Sequence, residues 1–183
     1  AGLRPIIGAE LTIAFQIPNP KSQIPHSKFP IPTWSLPVLV ESQEGYRNLC
    51  RLVTRMKMRA LTSGVPAGGK GESALTLEEL EGSTAGLVAL GGRPLLDGQH
   101  YGVGGLLDRL VGLFGRRHVC VELQRHLMRD EEADSSALDA LARAFRVPVV
   151  ATNGVRFAEP ADRPLFDVLA CVAHRTTLDA AGR

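Results

Sequence analysis

The sequence predicts an α/β protein with a mainly parallel sheet, closed into a barrel or left open. Three observations carry this. Short runs rich in β-branched and apolar residues recur at 5–14, 86–90, 119–124 and 147–152. Segments between and after them repeat apolar residues every three or four positions, the period of a helix with one buried stripe. Strand-like and helix-like segments alternate along most of the chain, as they do where parallel strands are joined by helical crossovers.

The elements follow in order. PIIGAELTIA at 5–14 reads as a strand. Residues 16–35 hold prolines at 18, 20, 25, 30 and 32. Proline lacks the amide proton and fixes φ, so a long surface loop with polyproline II character is expected there, and no helix or central strand. A short strand is expected at 38–41 and a helix at 44–60. In that helix Tyr46, Leu49, Val53 and Met56 form the apolar stripe, and Arg47, Arg51 and Arg55 a basic ridge. Residues 62–73 are glycine-rich and read as flexible. Thr76 with Glu79 three residues on makes a capping box for a short helix ending at Leu80. The strand at 86–90 precedes a helix over 104–114 with Leu106, Leu107, Leu110 and Leu113 in its stripe. The strand at 119–124 precedes a helix over 130–145 whose first turns are acidic, which suits the helix dipole. The run at 147–152 reads as a buried strand. A last helix over 163–172 turns Leu165, Val168, Leu169 and Val172 inward. No repeat at a fixed period is present.

Composition bounds the class. The chain has 183 residues, 44% hydrophobic and 22% charged, which are ordinary values for a globular domain. No apolar run is long enough to span a bilayer, no secretory leader opens the sequence, and a cytoplasmic protein is expected. Cys50, Cys120 and Cys171 are odd in number and widely spaced, so three reduced, buried thiols are expected rather than a zinc site. Net charge is +2, but it is unevenly spread. Residues 43–72 carry six Lys or Arg against Glu44 and Glu72, and residues 130–145 carry five acids against Arg143. A basic helix face suits either nucleic acid phosphates or plain solvation.

Few constellations carry chemistry. GVPAGGKG at 64–71 approaches a phosphate-binding loop, but Gly71 stands where the magnesium-holding hydroxyl belongs, and a helix rather than a strand precedes it. His26, His100, His118, His126 and His174 form no HxH or HxxxH pair. His118, Glu122 and His126 share a face if the strand runs that far, but its ends lie about 26 Å apart, too far for one ion. They read as surface or capping groups. No nucleophile elbow or triad is legible. Glu10, inside an apolar strand, either faces a polar cavity or is a rim or solvent-side residue.

Seven pieces in order resemble one family. They are GLRPIIGAELT at 2–12, EGYRNLCRLVT at 44–54, KGESALTLEELE at 70–81, GLVALGG at 86–92, VELQRH at 121–126, VPVVATN at 147–153 and RPLFDVLACVAHRTTLDAAGR at 163–183. Together they resemble the PHP domain of bacterial C-family DNA polymerases. VELQRH, ADRPLFDVLACV and TTLDAAGR look most like the error-prone branch. The resemblance implies an incomplete, distorted (β/α)7 PHP-type barrel with mainly parallel strands. Residues 1–175 would be the PHP domain without its first strands, and 176–183 the start of the connection toward the polymerase core.

The same resemblance implies a trinuclear metal cluster in active members, which supports phosphoester hydrolysis. Here the family's HxH pair and acid–histidine motif would precede residue 2. The GAE carboxylate is present as Glu10. The TND-x-H element reads TNGVR, with Gly154 and Arg156 in place of the ligands. Glycine offers no donor and arginine is a permanent cation. A Cys ligand found in some members is replaced near Gly92 and Arg93.

The expectation is thus a fragment of an error-prone DNA polymerase that is structural and inactive by itself. It would bind no cofactor of its own, while Mg2+ would serve the parent polymerase. Its partners would be the rest of the polymerase subunit, DNA through the parent, and other polymerase or repair subunits, with Arg47, Arg51 and Arg55 the candidate nucleic-acid contacts. The alternatives are a free-standing PHP phosphoesterase, which needs ligands this chain lacks, and a non-enzymatic interaction domain using the basic helix.

Overall fold

The computed structural model describes residues 2, 4–15, 33–62, 74–97, 101–102, 104–126 and 131–181. The expectations for the proline loop over 16–32, the glycine-rich segment and near phosphate loop over 63–73, His26, His100 and Asp130 lie outside the described residues.

Two units divide the chain, residues 1–151 and 152–183. The first holds strands β1 (Gly8–Ala14), β2 (Thr33–Val40), β3 (Leu87–Gly91), β4 (Val119–Gln124) and β5 (Val149–Thr152), whose last residue falls at the division. They form one sheet in the order β1-β2-β3-β4-β5. Its helices are α1 (Gln43–Thr62), α2 (Pro94–Asp97), α3 (Gly105–Phe114) and α4 (Glu131–Phe145), with single 3-10 turns at Glu78–Leu80 and Arg116–His118. The second unit contains α5 (Arg163–His174), entered through a 3-10 turn at Pro160–Asp162.

β2 is antiparallel to both β1 and β3, and β3 is parallel to β4. Two reversals cancel, so β1, β3 and β4 run in one direction and β2 opposes them. The mixed α/β architecture agrees with the sequence reading, and β2 is the departure from a mainly parallel sheet. β1 and β2 are successive strands with no helix predicted between them, and such neighbours need no crossover to pair antiparallel.

β2 also corrects the proline-loop boundary. It begins at Thr33 and contains Pro37, although it sits between two other strands. Proline is tolerated because β3 pairs with β2 only from Val38 onward, so the ladder to β3 has not begun at Pro37. On the far edge of β1, Leu75 makes a parallel bridge to Ile13. Thr12 carbonyl accepts from the Leu75 amide at 2.9 Å, and Leu75 carbonyl from the Ala14 amide at 2.8 Å.

Strand alternation places Leu11, Ile13, Leu36, Val38, Leu87, Ala89, Val119 and Val121 on one face, all fully buried. The same core holds Leu49, Leu52 and Met56 of α1, Leu106, Leu107, Leu110 and Phe114 of α3, and Leu138 and Ala142 of α4. These three helices therefore cover a single face of the sheet. Glu10, Thr12, Ser35 and Pro37 occupy the other, with Glu10 opposite Pro37 and Thr12 opposite Ser35.

The α1 stripe is rotated from the one expected. Gly45, Asn48, Leu49, Leu52 and Met56 are buried, Val53 is half-buried, and Tyr46 is exposed. The cause is local. The amide of Gly45 donates to Ser42 Oγ at 3.1 Å, so Ser42 caps the helix. Gly45 lies so close to Gly86 that an added Cβ would stand 1.8 Å from the Gly86 carbonyl oxygen. Asn48, 3% exposed, donates from Nδ2 to the Ala85 carbonyl at 2.9 Å. The helix is docked by a glycine and an amide onto the 85–86 turn, positions that hydropathy does not mark as core.

The expected capping box is half present. Glu79 carboxylate accepts from the Thr76 amide at 2.8 Å, but the helical turn begins only at Glu78. In the second unit the expectation for α5 is overturned. Leu165, Val168, Leu169 and Val172 are exposed, and Cys171 is the buried residue, flanked by half-buried Phe166 and Ala170. Phe166 packs on Phe157 with ring centroids 5.9 Å apart. A unit this short lacks the residues to bury a whole helix face.

Candidate functional site

Glu10 stands on the face of β1 opposite the one that α1, α3 and α4 cover. It is exposed, and the Ser35 hydroxyl donates to its Oε2 at 3.3 Å. Gly154 and Arg156 are both exposed and lie in the second unit, with Gly154 at φ 55°. Among the described residues no three His, Cys, Asp or Glu side chains stand together as metal ligands. The donor set of a hydrolytic cluster, several oxygen or nitrogen ligands around one open position, is not assembled by them.

His118 and His126 do not share a strand face with Glu122. β4 covers only 119–124. His118 ends the preceding 3-10 turn, where its Nε2 meets Glu41 Oε2 at 3.2 Å. His126 lies past the strand. Its amide donates to Glu131 Oε2 at 2.7 Å and its Nδ1 lies 3.2 Å from Oε1 of the same carboxylate. Both are exposed pairs that join element ends, and such pairs contribute little to stability.

The basic ridge of α1 is exposed along Arg47, Arg51 and Arg55. Two of the three also bond within the fold. Arg51 donates to Asn48 Oδ1 at 3.3 Å, and Arg55 donates to the Glu79 carbonyl at 2.8 Å. Arg109 of α3 pairs with Glu78 and lies over the Tyr101 ring. The 78–80 turn is thus held by an arginine from each side. Sequence reasoning did not find this role for Arg55, because a partner that is a backbone carbonyl leaves no mark in residue types.

The thiols differ from the expectation of three buried ones. All are free, but Cys50 is exposed on the outer side of α1, Cys120 is half-buried and Cys171 is buried. Burial pushes the Cys120 thiol above its ordinary value, which lowers its thiolate fraction at a given pH. Native-state titration with a disulfide reagent near pH 8 should therefore modify Cys50 first, with Cys120 and Cys171 reacting only slowly until denaturant is added. Equal rates for Cys50 and Cys120 would contradict this placement.

No helix among the described residues is long and apolar enough to cross a membrane.

The geometry can be set beside known proteins. The family model described as "PHP domain" matches residues 1–126. The "Error-prone DNA polymerase" of Anaeromyxobacter dehalogenans is 36% identical over 183 residues, covering all of this chain and 14% of the relative. That of Mycolicibacterium paratuberculosis is 32% identical over 187 residues, covering 98% of this chain and 16% of the relative. The "DNA polymerase III subunit alpha" of Pseudomonas aeruginosa is 30% identical over 187 residues, covering 98% of this chain and 14% of the relative. The chain therefore spans about one seventh of the length of these curated relatives.

Proposed function

The chain belongs to the PHP domain family, and on that premise we propose that it is the PHP portion of an error-prone DNA polymerase and serves that polymerase as a structural domain. The observation that carries this reading is the extent of the likeness. At 36% identity it runs through all 183 residues, beyond residue 126 where the family model stops. A free-standing member would need only the family's own segment.

On this reading the five strands are an arc of a distorted (β/α)7 barrel. Residues 1–175 form the PHP domain, and 176–183 lead toward the polymerase core. The face of the sheet that carries Glu10, opposite the one α1, α3 and α4 cover, would line the inside of that barrel. The parent would extend primers with deoxynucleotides and Mg2+ in the cytoplasm, during lesion-tolerant repair synthesis. Arg47, Arg51 and Arg55 would help it meet DNA. The rest of the polymerase subunit is the domain's first partner.

The domain itself would hydrolyse nothing. Glu10 is one donor, Gly154 has no side chain to contribute, and Arg156 carries positive charge where a ligand is expected. One carboxylate ligand holds a divalent ion weakly and does not orient a hydroxide. The test is elemental analysis of the purified chain, joined to manganese-supplemented assays on an aryl phosphate and on single-stranded DNA. Substoichiometric metal and no turnover are expected. Stoichiometric zinc or manganese, with turnover lost in Glu10→Ala, would overturn the structural reading. Whether the parent polymerises is read separately, by primer extension with the product of the complete reading frame.

A further inference from the structure

The described arginines from Arg93 to Arg146, those beyond the α1 ridge, fall into two groups. Arg93, Arg109, Arg125 and Arg143 meet the carboxylates of Asp134, Glu78, Glu132 and Asp139. Arg116, Arg117 and Arg146 are exposed and form no ion pair among the described residues. These three converge on one end of the sheet. Arg116 and Arg117 sit in the 3-10 turn immediately before β4, displayed by Gly115 at φ 83°. Arg146 comes three residues before β5, the neighbour of β4. The Val121 amide donates to the Pro148 carbonyl at 2.8 Å, which ties the entry to β5 against β4. The α4 crossover returns the chain to the end of the sheet where β4 began, as a helical connection between neighbouring strands does.

Two further observations bear on the purpose of this cluster. Arg146 follows the last residue of α4 with φ 54°, in the left-handed region. Glycine or asparagine is the ordinary residue at such a helix terminus, and a longer side chain there costs about 1 kcal/mol or more. Fold alone does not ask for arginine. Helix dipoles account for part of the charge but not all of it. α3 and α4 both end at this rim, and their carbonyl ends carry roughly half a negative charge each. Three guanidinium groups exceed that by about two charges. Glu41, just past the end of β2, is already engaged by His118 at 3.2 Å.

We propose that Arg116, Arg117 and Arg146 form a contact surface for the phosphodiester backbone of a nucleic acid. Guanidinium groups match phosphate oxygens with paired, charge-assisted donors, and several of them at one end of a sheet suit the phosphates along a strand. The surface reads charge rather than base sequence. It is separate from the α1 ridge and goes beyond the structural-domain reading, which stands or falls without it.

The experiment uses the 183-residue chain and fluorescein-labelled oligonucleotides, single-stranded and duplex, with fluorescence anisotropy across a salt series. The variants are R116Q/R117Q/R146Q and, separately, R47Q/R51Q/R55Q. All the mutated side chains are exposed, and circular dichroism checks that each variant folds. Each phosphate neutralised contributes about 0.9 to the salt slope on duplex and about 0.7 on single strands. The rim variant should therefore lose about 2 to 3 units of slope on whichever form is bound, with weaker binding for every sequence. A larger loss on one form identifies the strand state that the surface takes. No binding by the unmodified chain at low salt, or a slope that the rim variant leaves unchanged while the α1 variant lowers it, would overturn the proposal.

Discussion

Replacing Gly45 by alanine should destabilise the fold on the order of 3 kcal/mol, the upper part of the usual range for overpacking. The added Cβ would stand 1.8 Å from the Gly86 carbonyl oxygen and 2.4 Å from its carbonyl carbon, both backbone atoms that no rotamer change can move. α1 must then lift off the turn, and the Asn48 amide must leave the Ala85 carbonyl that it holds at 2.9 Å. That abandons a buried hydrogen bond as well as a close contact. Gly82 supplies the control. It has φ 70° but nothing within 4 Å of an added Cβ. Gly82→Ala should therefore cost only the left-handed backbone penalty of about 1 kcal/mol. Urea unfolding followed by circular dichroism separates the two. Equal losses at both positions would mean that the approach of α1 to the 85–86 turn does not demand glycine at position 45. A domain is stable by only about 5–15 kcal/mol, so the Gly45 variant should show a visibly lower midpoint.

Truncating Leu52 should cost about 2–5 kcal/mol, the range for a leucine removed from a closed core. Leu52 is fully buried at the centre of the α1 stripe, with Leu49 and Met56 on the same face and Leu11, Leu36 and Val38 in the same core cluster. Tyr46, which apolar spacing would place in the stripe, is 47% exposed. Its change to alanine should stay within about 0.5 kcal/mol, as for most surface positions. Denaturation midpoints of Leu52→Ala and Tyr46→Ala, measured under the same conditions, decide between the two faces. A larger loss for Tyr46→Ala would show that α1 docks by the face read from hydropathy.

The sequence by itself determined the kind and order of the elements. Strands at 8–14, 87–91, 119–124 and 149–152, and helices α1, α3, α4 and α5, stand within a few residues of their expected places. The reason is that alternation and the 3.6-residue period are local properties, set by which side chains must leave water.

Tertiary structure decided the rest. Direction in the sheet was one such matter, because β2 pairs with strands on both sides and its sense depends on neighbours distant in sequence. The start of β2 was a second, because Thr33, Trp34 and Ser35, read as loop, pair with β1, and Pro37 is accommodated where the ladder to β3 has not started. The buried side of α1 was another. Leu52 belongs to it because Gly45 and Asn48, neither hydrophobic, touch the 85–86 turn, whereas periodicity weighs only apolarity. Tertiary structure also showed where the histidines find their partners. His118 meets Glu41 across the sheet end, a pair 77 positions apart that no spacing rule anticipates. α5 shows the converse limit. Its apolar stripe is plain in the sequence, but a stripe records only that a face can be buried. Whether Leu165, Leu169 and Val172 are covered depends on what surrounds the helix, and in this structure they are exposed.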